Sequence, residues 1–158
     1  MSQFTFFWQN RSPFSNWYPS KFTHNGINFT RGEQYMMYQK AMLFGDSEVA
    51  QAILLTDNPK EQKDLGRLVR NYDDAKWAAV RVDVMVEGLF EKFNQNEYLK
   101  QALLDTGDTE IVEASPYDRI WGIGWADEDP EAQDKSKWRG QNLLGIVLMK
   151  VRDKIRNG

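Results

Sequence analysis

"GEQYMMYQKAMLF" (Gly32–Phe44) is the stretch that decides how this chain folds. Met36, Met37 and Phe44 flank one side of a helical projection, and Tyr35, Tyr38, Met42 and Leu43 cover most of the rest, the pattern of a buried helix. Two charges interrupt it. Glu33 and Lys40 are seven positions apart, which at about 100° per residue points them within roughly 20° of each other. Their axial separation of about 10.5 Å exceeds the reach of an ion pair between adjacent turns. A buried charge needs a polar partner or a cavity, because burial without one is expensive. Two readings follow. Glu33 supports the helix start while Lys40 extends its amine to solvent, or the two line one pocket wall as an acid/base and a nucleophile.

Outward from this helix, "KFTHNGINFT" (Lys21–Thr30) places Asn25-Gly26 between two alternating runs, a hairpin signal because both turn residues tolerate positive φ. "FTFFWQ" (Phe4–Gln9) and "TEIVEA" (Thr109–Ala114) have the density of short strands. Helical patterns cover about Ser47–Leu55, Pro59–Val69, Asp73–Phe93, Glu97–Asp105 and Asn142–Arg156. "NPKE" (Asn58–Glu61) is a helix start, with an Asn cap, proline in the first turn and Glu at the third position. "WADEDPEAQDKSK" (Trp125–Lys137) is polar enough for an exposed loop. The expectation is a mainly α fold, a compact helical domain over residues 1–158 with a small β-hairpin and minor strands.

Composition excludes several classes. At 158 residues, with 27% charged and 41% hydrophobic residues, the chain suits one globular domain with its own core. With no cysteine and one histidine, it carries no disulfide framework, thiolate site or His-rich metal site, so neither metal nor cofactor is expected. No stretch approaches the roughly 18 apolar residues of a membrane span, and "MSQFTFFWQN" lacks a signal-peptide pattern, so a cytoplasmic protein is expected. A net charge of −3 and a pI near 5.2 argue against broad nucleic-acid binding, which depends on phosphate neutralisation.

Three further segments carry candidate chemistry. On the long helix, Ala78, Val82, Met85, Val86, Leu89 and Phe93 form an apolar stripe, and Trp77 lies about 140° from its centre with Arg81 one turn along. That pair suits stacking on a ring and holding an anion, or a second packing contact beside a solvated arginine. In "SPYDRIWGIGW" (Ser115–Trp125), Asp118 follows a turn signal and precedes Trp121; it either points into a site or caps backbone amides. The glycines there do not form a dinucleotide fingerprint, since no strand–GxGxxG–helix context exists. "FSNWYPS" (Phe14–Ser20) contains Asn16 in an aromatic loop, and "WRGQNLLG" (Trp138–Gly145) places Asn142 at a helix start, where it is usually a cap.

In order, "FSNWYPSKF", the hairpin, "GEQYMMYQKA", the Trp77 helix, "YDRIWGIG" and "GQNLLG" resemble the NADAR family, also called YbiA-like proteins, over nearly the whole chain. Gly32-Glu33-Gln34 stands where many members carry Val-Glu-His, a departure that removes the histidine and keeps the glutamate. The resemblance implies a compact, mainly α fold and N-glycosidase activity on ribosides. The substrates it implies are early phosphorylated ribosylamino intermediates of riboflavin synthesis, or ADP-ribose attached to guanine in nucleic acid. Glu33, Trp77 and Asp118 match the family's proposed active-site positions, and Lys40 matches a lysine proposed to form an imine with the opened sugar. Breaking a C1′–N bond calls for such groups, since positive charge builds on the sugar and negative charge on the departing base. Asp118 would stabilise the cation, Trp77 and Trp121 would offer aromatic faces, and Arg81, Asn16 and Asn142 would contact phosphate or ribose. A non-catalytic module binding ADP-ribose or a nucleotide needs the aromatic and arginine groups but not both Glu33 and Lys40. A structural or partner-binding helical domain leaves the paired charges unexplained.

Overall fold

The helix expected around Glu33 runs from Gly32 to Leu43, and in the computed structural model, which describes residues 3–158, other helices close around it. In chain order the elements are β1 (Phe4–Phe7), β2 (Phe22–His24), β3 (Ile27–Phe29), α1 (Gly32–Leu43), α2 (Ser47–Leu54), α3 (Pro59–Gly66), α4 (Asp74–Asn94), α5 (Glu97–Leu104), β4 (Glu110–Glu113) and α6 (Leu143–Asn157). The fold is mainly α, as the sequence indicates. α1 packs against α2, α3 and α4, and α6 covers α4 and β4. Burial varies along α1 rather than around it. Gly32 through Tyr38 are all buried, whereas Met42 and Leu43 emerge at 46% and 45% exposure.

Local chemistry sets the boundaries. Asn25 (φ 50°) and Gly26 (φ 80°) make the expected tight turn of the β2–β3 hairpin. The Asn58 side chain accepts from the Lys60 and Glu61 amides to start α3, and Asp73 accepts from Ala75 and Lys76 to start α4. The strands at the two ends of the chain pair in parallel, Phe4 opposite Glu110 through Phe7 opposite Glu113. On α4, Gly88 lets the Tyr35 ring of α1 press against the backbone, where a methyl would overlap it, and the Tyr35 hydroxyl donates to the Val84 carbonyl at 2.7 Å.

Two expectations are corrected. The buried face of α4 keeps Met85, Leu89 and Phe93 of the expected stripe and adds Trp77, Gly88 and Lys92, while Ala78 is exposed and Val82 and Val86 are only partly buried. An apolar count misplaces the stripe because its true members include a lysine and a glycine. The segment 125–137 is also less free than an exposed loop. It forms two single-turn 3₁₀ helices, Pro130–Gln133 and Lys135–Lys137, and seats Ala132 in a small second core with Val112 and Ile123.

Candidate active site

Four residues of α1, Glu33, Met36, Met37 and Lys40, line a cleft of about 220 Å³. Their spacing of three, one and three positions is one helical face, so the wall inferred from Glu33 and Lys40 exists, with the two methionines as its floor. Opposite stand Ser15, Asn16 and Trp17 from the loop after β1, and Glu113, Asp118 and Trp121 from the end of β4 and the turn that follows. Lys63 and Arg67 of the α3 region complete the rim one helical turn apart.

The loop carrying Asn16 is fastened from three directions. The Glu33 amide donates to the Asn16 carbonyl at 2.9 Å, an Arg31 guanidinium nitrogen donates to the Trp17 carbonyl at 2.7 Å, and the buried Lys92 amine donates to the Ser15 carbonyl at 3.1 Å. Gly32 makes the first contact possible, since a Cβ there would stand 2.5 Å from Asn16 Oδ1. That oxygen is buried and has no hydrogen-bond partner.

The acidic side is held as firmly. Asp118 Oδ1 accepts from the Ile120 and Trp121 amides, both at 2.9 Å, so this residue caps its own turn and also borders the cleft. At Glu113 the amide donates to Asn142 Oδ1 at 3.0 Å, and its carbonyl accepts from the Ile123 amide at 3.0 Å. Its carboxyl oxygen Oε2 is buried without a partner.

Burial governs the ionisation of these groups. It pushes Glu33 up to about 7, with the Asp118 charge adding to the rise while Lys63, the Trp17 indole and Lys40 oppose it. Burial raises Glu113 to about 8, reinforced by Asp118 and Glu33 and opposed by Lys63. Lys40 is pushed below the usual lysine range by desolvation and by Arg67, with Glu33 and Asp74 opposing. No ion pair within 4.0 Å joins Glu33 to Lys40 among the described residues, and the Lys40 amine lies 4.7 Å from the centre of the Tyr72 ring. The cleft thus offers carboxyls that carry protons near neutrality, Glu33 beside and Glu113 opposite an amine that gives its proton up more readily than usual. No group of three His, Asp or Glu side chains among the described residues is arranged to hold a metal ion.

Of the residues named from sequence, Glu33, Lys40, Asp118, Asn16 and Trp121 meet in this cleft. Trp77, Arg81 and Asn142 do not border it. Trp77 is buried in the main core at 5% exposure, on the inner face of α4, where it packs against its neighbours. Arg81 follows on the same side of α4 with its Nε buried and unpartnered. Asn142 turns its amide to β4, accepting from Glu113 N and donating to the Ile111 carbonyl at 3.0 Å, and is 2% exposed. Gln34, where a histidine was expected, faces away from the cleft. It accepts from Thr30 N at 2.8 Å and donates to the Ile53 and Thr56 carbonyls, so the departure costs the site no group. Sequence reasoning missed Glu113, Trp17, Lys63 and Arg67. The four-residue spacing of Lys63 and Arg67 was a readable signal of a basic helical face. Glu113 gave none, because the strand it ends pairs with one about a hundred residues earlier.

A mainly helical frame that gathers proton-carrying carboxyls, an activated amine and a basic rim in one cleft is that of an acid–base enzyme. Residues 6–156 match the description "NADAR domain", and the chain belongs to the NADAR family. It is 44% identical to "N-glycosidase R617" of Acanthamoeba polyphaga mimivirus, over 89% of this chain and 85% of that protein. It is 32% identical to "Riboflavin biosynthesis protein VVA0006" of Vibrio vulnificus, over 94% of this chain but 36% of that longer protein. The NMR structure of the E. coli protein YbiA superposes with a TM-score of 0.79 at 26% identity, over 98% of this chain and 85% of that one. None of its described helices is long and apolar enough to cross a membrane.

Proposed function

We propose that this chain is an N-glycosidase that hydrolyses the C1′–N bond of a phosphorylated ribosylamine, the class to which early intermediates of riboflavin synthesis belong. The observation that carries the reading is Glu33, a carboxyl kept protonated to about pH 7 on the same cleft wall as an amine of lowered basicity. The protonated Glu33 gives its proton to the ring oxygen. The C1′–O4′ bond breaks as the nitrogen lone pair forms a C1′=N bond. Lys40 with its Nζ deprotonated adds to C1′ and passes its surplus proton to the Glu33 carboxylate, and the C1′–N bond breaks as the nitrogen takes up a proton and departs as an amine, leaving a C1′=Nζ bond. Water then hydrolyses the C1′–Nζ imine, releasing the sugar aldehyde and restoring Lys40. Asp118 faces the cationic carbon, Trp17 and Trp121 exclude water, and Lys63 and Arg67 attract the phosphate.

Cleft size favours the small substrate. A cavity of about 220 Å³ lies below the roughly 300–1,000 Å³ that encloses drug-sized ligands, so it suits a single sugar better than an entire dinucleotide. The relatives named N-glycosidase and riboflavin biosynthesis protein support the same reading. The test offers both a ribosylamino phosphate and an oligonucleotide bearing ADP-ribosylated guanine and weighs the released base by mass spectrometry. Release from the first supports the assignment, release from the second alone moves it to nucleic acid, and release from neither by folded protein refutes it. Borohydride added during turnover should leave a sugar adduct on Lys40; no adduct, with activity kept in Lys40→Ala, refutes the imine.

A further inference from the structure

The proposed reaction moves protons at two separated atoms, the ring oxygen and the departing nitrogen, and Glu33 is assigned to only the first. Glu113 borders the same cleft from the opposite wall, at the end of β4. Its backbone is held by Asn142 on one side and Ile123 on the other, so the point from which its side chain leaves the strand is set independently of any ligand. Gly122 leaves room for it, since a Cβ there would come within 3.0 Å of Glu113 Oε2. Nothing in the protein bonds that buried oxygen, and Asn16 Oδ1, in a residue only 7% exposed, is likewise buried and unpartnered at the cleft. A buried polar atom with no partner costs stability, and both of these belong to residues that line one cleft, where a ligand's polar groups can complete the set.

Resting on the glycosidase reading, we propose that Glu113 is a second catalytic acid, which delivers its proton to the departing amine nitrogen while Asn16 Oδ1 accepts from a sugar hydroxyl. Two protons are spent and two are recovered. The Nζ proton shed as Lys40 adds to C1′ returns to the Glu33 carboxylate; as the C1′–N bond breaks, its electron pair stays on nitrogen, the Glu113 proton bonds to that pair, and the Glu113 carboxylate regains a proton from the water that hydrolyses the imine. Burial supports the role by holding Glu113 protonated to about 8, against the charges facing it, Asp118 on the following turn, Glu33 on α1 and Lys63 on α3.

Glu113→Gln tests this. The amide has the same shape and cannot give up a proton as the acid does, and thermal melting of the variant checks the fold. We expect kcat to fall about 10²- to 10⁴-fold with KM changed less than about threefold. On the alkaline side, kcat/KM of the wild type should decline with loss of two protons and that of the variant with loss of one. Glu113→Asp, which keeps an acid but withdraws it by a methylene, should retain the two-proton decline at reduced kcat. It also serves if the glutamine variant does not fold. Unchanged kcat, or a two-proton decline persisting in Glu113→Gln, overturns the assignment. A third measurement separates this proposal from the reaction class: carboxyl-carbon NMR of labelled wild type should show Glu113 titrating near 8 whether or not any riboside is cleaved. Titration in the ordinary carboxylate range overturns the inference even if the enzyme is a glycosidase, whereas failure to cleave any riboside, with the elevated titration observed, overturns the glycosidase reading and with it the acid's catalytic role.

Discussion

Replacing Glu33 by glutamine should make the protein more stable and nearly inactive, and the stability gain should depend on pH in a calculable way. In the unfolded chain the carboxyl ionises near its ordinary 4.5, whereas burial in the cleft raises it to about 7. The folded state therefore binds the proton more tightly. Stability contributed by the neutral acid is complete below about pH 4.5 and is lost as pH rises through about 7. Linkage with these values puts the loss at under ~1 kcal/mol at pH 5, ~2 at pH 6 and ~3 at pH 8. Glutamine keeps the size and an oxygen for the Trp17 indole but never ionises, so Glu33→Gln escapes this loss. For a chain of this length, ~3 kcal/mol corresponds to a rise in Tm of roughly 6–12 °C at pH 8, against a small change at pH 5. Urea denaturation at the two pH values reads the difference, and turnover of a ribosylamino phosphate should fall by about 10²- to 10⁴-fold. A variant equally stabilised at both pH values, or destabilised at pH 8, refutes the claim that Glu33 is a desolvated acid.

Three other perturbations probe the support of the cleft. Lys92 is fully buried with a single hydrogen bond, and burial lowers it from 10.5 to about 7. The folded state holds this proton more weakly, so the group's cost is largest below about pH 7, ~5 kcal/mol, and diminishes towards 10.5. Lys92→Met should remove that rise of stability with pH, while the Ser15 carbonyl keeps the Tyr18 amide as a donor; urea melts showing the wild-type pH slope intact would contradict it. Gly32→Ala drives a methyl to 2.5 Å from Asn16 Oδ1 and should cost ~1–3 kcal/mol and lower kcat/KM about tenfold by displacing the cleft loop. Asn142→Ala orphans the Glu113 amide and the Ile111 carbonyl, and a loss of ~3 kcal/mol or more is expected in denaturant unfolding.

Legibility in the sequence followed the range of the interactions involved. The hairpin at Asn25-Gly26, the Asn58 cap and the helix around Glu33 depend on residues within a few positions of one another, and all three stand where local chemistry puts them. Glu33 and Lys40 were readable as a pair because helical geometry is periodic. The true inner face of α4 was not, because it is set by what packs there. Trp77 looks like an outlier to an apolar stripe until Lys92 and Gly88 are known to lie on its side. Lys92 can join that face only because a carbonyl about eighty residues earlier accepts from it. Glu113 was invisible for the same reason. Its place in the cleft follows from the parallel pairing of β4 with β1 and from Asn142, neither of which leaves a local trace.

The distribution of satisfied and unsatisfied polar groups supports reading the cleft as chemistry rather than packing. Gln34 sits at 2% exposure and bonds through both its oxygen and its nitrogen; the hydroxyl of Tyr35, at 0%, has its partner on α4; Asn142, at 2%, bonds at both ends of its amide. Partners are missing outside the cleft too, at Arg31 Nε, Gln62 Oε1 and Arg81 Nε. Glu113 Oε2 and Asn16 Oδ1 lack them, although hydrogen-bonding residues surround the cleft they border. Burial that raises two carboxyls towards neutrality makes their charged forms costly in the folded protein. A binding module for an anionic ligand can be served by the basic rim alone, whereas an enzyme that must hand protons to a sugar oxygen and a leaving nitrogen needs protonated acids. The same strain that makes Glu33→Gln stabilising is therefore what distinguishes a catalytic cleft from a binding one.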